Sequence, residues 1–130
     1  MTQSKGTTRI TGVHTIGVPV TSQDKALEFY TGTLGFAKLR DVPTGGGSRW
    51  IEVAPESGTP SIALVQAKEG VPAGVETGIR FIASDAEAAH DELIAAGADV
   101  DDVLRWPGVP PMFAFRDQDG NGLEIVEQPA

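Results

Sequence analysis

Residues 14–36 read HTIGVPVTSQDKALEFYTGTLGF, and residues 77–98 read TGIRFIASDAEAAHDELIAAGA. The two stretches share one pattern. In the first, Ile16, Val18 and Val20 alternate with Thr15, Gly17 and Pro19, the period of a strand. The alternation reaches back through His14 and Gly12 to Ile10, which predicts a strand over 10–20. Ser22 or Thr21 then caps a helix over 23–34, where Ala26, Leu27, Phe29, Tyr30 and Leu34 recur at spacings of three and four. Gly35 ends it. The second stretch repeats the order: a strand over 77–83, a helix over 85–96 capped by Ser84 or Asp85, and a stop at Gly97. Val20, Ala26 and Tyr30 precede Ala83, Ala89 and Leu93 by the same 63 residues.

Each stretch is followed by three strand patterns. In the first half they are 36–42, 49–54 and 61–66, separated by the turns PTGGGS and PESGTP. In the second half they are 98–105, 112–116 and 122–127, separated by the rigid loop PGVPP and the turn Asp119-Gly120-Asn121-Gly122. The expected fold is therefore α+β, two tandem βαβββ modules over 10–66 and 76–128. Residues 67–75 read as a linker and 1–9 as a disordered start. One copy alone leaves sheet edges unpaired and a sheet half covered, so it must be completed by its twin or by another chain.

The 130 residues amount to one domain's worth of chain. Ten basic against eighteen acidic residues give a net charge of −8. That balance argues against nucleic acid and against an anionic membrane surface as partners. The charge is uneven. Residues 1–66 carry six basic and five acidic groups, whereas residues 67–130 carry four and thirteen. With no cysteine, disulfides, thiolate metal sites and a cysteine nucleophile are excluded. No apolar run approaches the ~20 residues of a membrane span, and a cytoplasmic location is expected.

HTIGVPV…DKALEFYTGTLGF in the first half, with AEAAHDELIAAGADV…FRDQDGNGLEIVE in the second, resembles the vicinal oxygen chelate superfamily. That group includes glyoxalase I, bleomycin-resistance proteins and extradiol dioxygenases. The resemblance covers about residues 10–128. It implies that each sheet curls into a cup-shaped half-barrel, and that a small member forms a homodimer with pockets between chains. In the superfamily's enzymes, side chains from four strands hold a divalent metal, which polarises substrate oxygens while a carboxylate moves a proton.

Carried onto this chain, those four positions fall on Thr15, Ala63, Gly78 (or Thr77) and Glu124. Only Glu124 is a usual ligand. Strand parity turns His14 to the helix-covered face, and it would need a bulge to enter the cup. His90 is expected at the solvent edge of the second helix. The metal set is thus read as lost, with no cofactor. If a metal is present, His14 and Glu124 would hold it.

What remains is a cup with large apolar groups. Ile51 and Val53 suit the covered face, which sends Trp50 and Glu52 into the cup. Arg80 shares the parity of Gly78. Trp106 lies in a loop that the resembled fold puts at the pocket mouth. On the next strand, either Phe113 and Phe115 or Met112 and Ala114 face inward. The tryptophans favour stacking on a flat ligand, and the two glutamates favour a cationic or hydroxylated one.

The expected function is metal-free binding: sequestration of a bulky, partly aromatic antibiotic or natural product, with no catalytic residue. One alternative is a metal-dependent glyoxalase-like lyase, isomerase or dioxygenase with Glu52 as base. Another is an accessory module that contacts a second protein and leaves its cup idle.

Overall fold

The computed structural model describes residues 8–129. Alternating apolar residues give strands β1 (Thr15–Val20), β2 (Ala37–Gly45), β3 (Ser48–Ala54) and β4 (Ser61–Gln66) in the first half. Between β1 and β2 lies helix α1 (Gln23–Glu28), which runs into a wider turn over Phe29–Thr33. The second half holds β5 (Glu76–Ala83), helix α2 (Ala86–Ala95), β6 (Asp99–Val100), β7 (Met112–Arg116) and β8 (Gly122–Glu127). The cap residues act as their chemistry demands. Ser22 accepts from the Lys25 N–H and Asp85 from the Ala88 N–H, each supplying a partner to a free N–H of the first turn.

The halves form two four-stranded sheets with one topology, β1-β4-β3-β2 and β5-β8-β7-β6. The first and last strands of each half run parallel, because a helix and two strands separate them in the chain. The fold is α+β, two copies of βαβββ, as the repeat predicts.

Two elements are shorter than the sequence suggests. The strand expected from Ile10 begins at Thr15, and Ile10 and Val13 are exposed. The neighbour β4 starts at Ser61, opposite Thr15, and its first N–H bonds the His14 carbonyl, so the residues before His14 have no ladder to join. The strand expected over 98–105 keeps only Asp99–Val100, and its ladder resumes for a single pair at Leu104–Met112. The disorder expected of residues 1–9 falls mostly outside the described residues.

Register fixes which face each side chain takes. Ile16, Val18, Ile51, Val53, Ile62 and Leu64 from the first sheet point to its helix, as do Ile79, Phe81, Phe113, Phe115, Leu123 and Ile125 from the second. With Ala26, Tyr30, Ala86 and Leu93 from the helices they form one core. Burial of each such Phe, Leu or Ile contributes about 1.5–3 kcal/mol. Because the helix faces of both sheets share that core, the opposite face of each sheet is left to form a cup.

A buried polar hub joins the halves. The Tyr30 hydroxyl donates to Asp117 Oδ2 at 2.8 Å. The fully buried Asn121 donates from Nδ2 to Pro19 O and Asp117 Oδ2, both at 2.9 Å, and accepts at Oδ1 from the Gly74 and Val75 N–H groups. Asp117 Oδ1 accepts from the backbone N–H of Asp119 and Asn121. Burial, and then the Asp117 charge, push the Tyr30 hydroxyl far above its ordinary pKa, so it stays a donor. The turn signal at residues 119–122 is therefore also the joint between modules.

Tyr30→Phe removes one charge-assisted bond, and its expected cost in a urea unfolding series is about 1.5–2 kcal/mol. Asn121→Ala strands two N–H groups and a carbonyl, with an expected cost of about 3 kcal/mol or more. The double variant should lose less than the sum, since both residues act on Asp117. Strict additivity would show that they do not form one hub.

Candidate ligand-binding cups

On the open face of the first sheet, Thr15, Trp50, Glu52 and Ser61 come together. Cross-strand register sets this, with Thr15 opposite Ser61 and Glu52 opposite Ala63. Ser61 Oγ donates to Glu52 Oε1 at 2.7 Å and lies 2.8 Å from Thr15 Oγ1. Trp50 Nε1 donates to Glu52 Oε2 at 2.7 Å. Glu52 is 5% exposed, yet the Trp50 indole remains 39% exposed beside it. Arg40 faces Glu52 across the β2–β3 ladder, with Nε at 4.0 Å.

These donors decide the charge state. Hydrogen bonds from Trp50 and Ser61 hold the Glu52 carboxyl below its usual pKa, against the opposing effect of burial. Glu52 is thus an ionised acceptor near neutral pH and a poor proton-transfer base. Each oxygen takes one short bond and keeps a lone pair for a ligand N–H or O–H. A hollow of about 260 Å³ is lined by Trp50, Ala63, Val65, Thr44 and Lys68, and Glu52 is not among its lining residues.

His14 corrects the parity reading. It precedes β1, so strand alternation does not govern it, and its Nε2 lies 3.7 Å from Glu52 Oε1 with the side chain 80% exposed. It stands on the Glu52 side rather than under the helix. His90 is also corrected. Its ring packs edge-on against Phe113 at 5.2 Å, and its Nε2 lies 3.0 Å from the Asp101 carbonyl, so it is a packed residue of α2.

The second cup is ionic. Arg80 and Glu124 are register partners, with Nε to Oε1 at 2.8 Å. Met112 and Ala114 face this side, whereas Phe113 and Phe115 lie buried beneath α2 and do not line the cup. Trp106 is 54% exposed in the loop before β7, and no aromatic contact joins it to Trp50 among the described residues. Sequence reasoning missed Ser61 and Arg40 as cup residues. The parity that placed Ala63 already put Ser61 beside it.

The four positions where the superfamily's enzymes hold a metal do not suit one here. Thr15 is bonded to Ser61, and Ala63 has no donor. Gly78 has a φ of +75°, a conformation that side chains with a Cβ rarely adopt, so a ligand residue there would be strained. Glu124 is paired with Arg80. Among the described residues, no group of three or more His, Asp or Glu side chains converges. His14 and Glu124 sit in different cups, each beside another partner.

A larger concavity, about 900 Å³, lies between the modules, lined by Leu34, Phe36, Ile62, Leu93 and Phe115 among others, and strand β5 borders it along residues 77–82, Gly78 and Arg80 included. Leu93 stands where the repeat places Tyr30 in the first half. Tyr30 spans its seam to Asp117, and the shorter Leu93 leaves this seam open.

This topology and site geometry define a class, and comparison with known proteins agrees. The profile of the Glyoxalase/Bleomycin resistance protein/Dioxygenase superfamily matches residues 12–125. The chain belongs to that superfamily. It is similar to TnmS3, an antibiotic binding protein from Streptomyces sp. CB03234, at 33% identity and a TM-score of 0.82, covering 94% of this chain and 98% of that one. It is also similar to a superfamily member from Sphaerobacter thermophilus DSM 20745, at 32% identity and a TM-score of 0.84, covering 92% and 98%. The uncharacterized protein YurT of Bacillus subtilis (strain 168) is 34% identical, covering 84% of this chain and 93% of that protein.

Glu52 gives a pH test. Its lowered pKa contributes stability that is complete above the ordinary glutamate value and is lost as pH falls through the folded-state value. Trp50 fluorescence should therefore shift with a midpoint below about 4.3. Glu52→Gln should abolish the shift, and Ser61→Ala should move it upward. A wild-type midpoint at or above the ordinary value would contradict the hydrogen-bonded geometry.

Proposed function

We propose that this protein is a metal-free small-molecule binder that sequesters a flat, partly aromatic natural product, such as an antibiotic, by holding it on Trp50 and Glu52. The observation that carries this reading is the half-exposed Trp50 indole fixed by a buried, ionised Glu52 on an open sheet face. The indole offers a stacking surface at little entropic cost, because Glu52 already holds its orientation. Glu52 in turn selects ligands with a hydroxyl or amine to donate. The likeness to an antibiotic binding protein at 33% identity supports the same reading. Protection would follow from binding alone, since each occupied cup withdraws one molecule, and capacity would scale with protein concentration.

The working unit in this reading is a homodimer. Leu39, Val42 and Trp50 in the first module and Ile82 in the second are exposed apolar groups on or beside the open faces. A second copy would cover them and enclose the ligand. The partner is a small molecule rather than nucleic acid, given the net charge of −8. No helix among the described residues is long and apolar enough to cross a membrane.

Titration with planar polycyclic antibiotics bearing a phenol or an amine, in the presence of a chelator, should quench tryptophan fluorescence and leave the antibiotic chemically unchanged. Trp50→Ala should weaken binding about tenfold, and Glu52→Gln about fivefold. If both variants bind like the wild type, the reading fails.

A further inference from the structure

Glu124 is the one of the four inherited positions that keeps a metal-binding group, and a guanidinium already occupies it. Arg80 faces Glu124 across the β5–β8 ladder, with Nε 2.8 Å from Oε1. The equivalent pair in the first sheet is Gly17 opposite Ala63, which bears no polar side chain. The second cup therefore contains a built-in cation where the first has none. It is held beside Glu124 by an ion pair across the ladder. Arg80 pairs with Glu124 through Nε, its side chain is 62% exposed, and its Nη groups have no ion-pair partner among the described residues. Two small residues lie close to the pair. Ala114 lies opposite Glu124 on the other ladder, and a Cβ built on Gly78 would meet nothing within 4 Å.

We propose that the second cup is an oxygen-binding site, in which the Arg80 guanidinium, held by Glu124, donates to a neutral carbonyl oxygen of the ligand. The protein's own cation thereby replaces the metal of the superfamily's enzymes as the group that meets the ligand's oxygen. This inference rests on the small-molecule reading above and adds the ligand chemistry of the second half. A neutral carbonyl fits better than an anion for two reasons. The Arg80 charge is already balanced by Glu124, and residues 67–130 carry thirteen acidic groups against four basic. The neighbouring Arg116 is committed to Asp101 and Asp99, and the Glu76 carboxylate lies over Gly122. An anionic ligand would meet net repulsion there, whereas a carbonyl takes the hydrogen bond without it.

Equilibrium dialysis of the full chain, with chelator present, can compare methoxycoumarin with methoxynaphthalene, which has a similar outline but lacks the carbonyl, and with coumarin carboxylate. Arg80→Met should lower methoxycoumarin affinity about tenfold while methoxynaphthalene changes less than about twofold. The wild type should bind the carboxylate less well than methoxycoumarin. Retained methoxynaphthalene binding shows that the variant is folded and its cup intact. If Arg80→Met lowers both neutral probes alike, or neither, or if the carboxylate binds best, the role assigned to Arg80 is overturned. A wild type that retains none of the three overturns the small-molecule reading, and this one with it.

Discussion

The hydrogen bonds converging on Asp117 and Asn121 constrain the rest of the molecule. Tyr30 reaches across from the first helix, and Asn121 reaches back to Pro19 at the end of the first strand. These contacts bring the helix-covered faces of both sheets onto one core. The opposite faces carry Trp50 and Glu52 in the first sheet and Arg80 and Glu124 in the second. A buried polar network of this kind is costly if left incomplete. Here every polar atom of the Asn121 side chain is paired, so the network can specify how the modules join.

The same duplication explains how the two cups differ. Gly17 and Ala63 stand where the second sheet has Arg80 and Glu124, but one step back the register shifts, so that Gly122 pairs with Glu76 where the first sheet pairs Ser61 with Thr15. In the first cup the polar groups support one buried acceptor beside an indole. In the second they fix one exposed cation. A metal needs free carboxylates and imidazoles converging on a point. Each half has instead committed its carboxylate to a partner from the protein, Trp50 and Ser61 for Glu52 and Arg80 for Glu124.

Much of the fold was legible because it was written twice. The 63-residue offset aligned strand, helix and stop signals, and period-two alternation gave the correct face for Trp50, Glu52, Arg80 and Glu124. Alternation failed where no ladder enforced it. His14 lies one residue ahead of β1 and follows the local path of the chain, which brings it toward Glu52. For Met112 to Arg116 the pattern could not choose a face, since both alternations are apolar until α2 covers one of them. The role of Asn121 was hidden for another reason. Asp-Gly-Asn-Gly is a sufficient turn signal by itself, and nothing local shows that its amide bridges to residues about a hundred positions away.

The central claim is that the first cup binds a planar ligand at Trp50 without a metal. Proton–nitrogen correlation spectra of the labelled protein test it most directly, because the Trp50 indole N–H is pinned to Glu52 and gives its own resonance. Adding a planar ligand in the presence of chelator should move that resonance, together with the amides of Thr15, Ser61 and Ala63. A ligand that moves only residues of the seam around Leu93, or that acts only after a divalent ion is added, would contradict the claim.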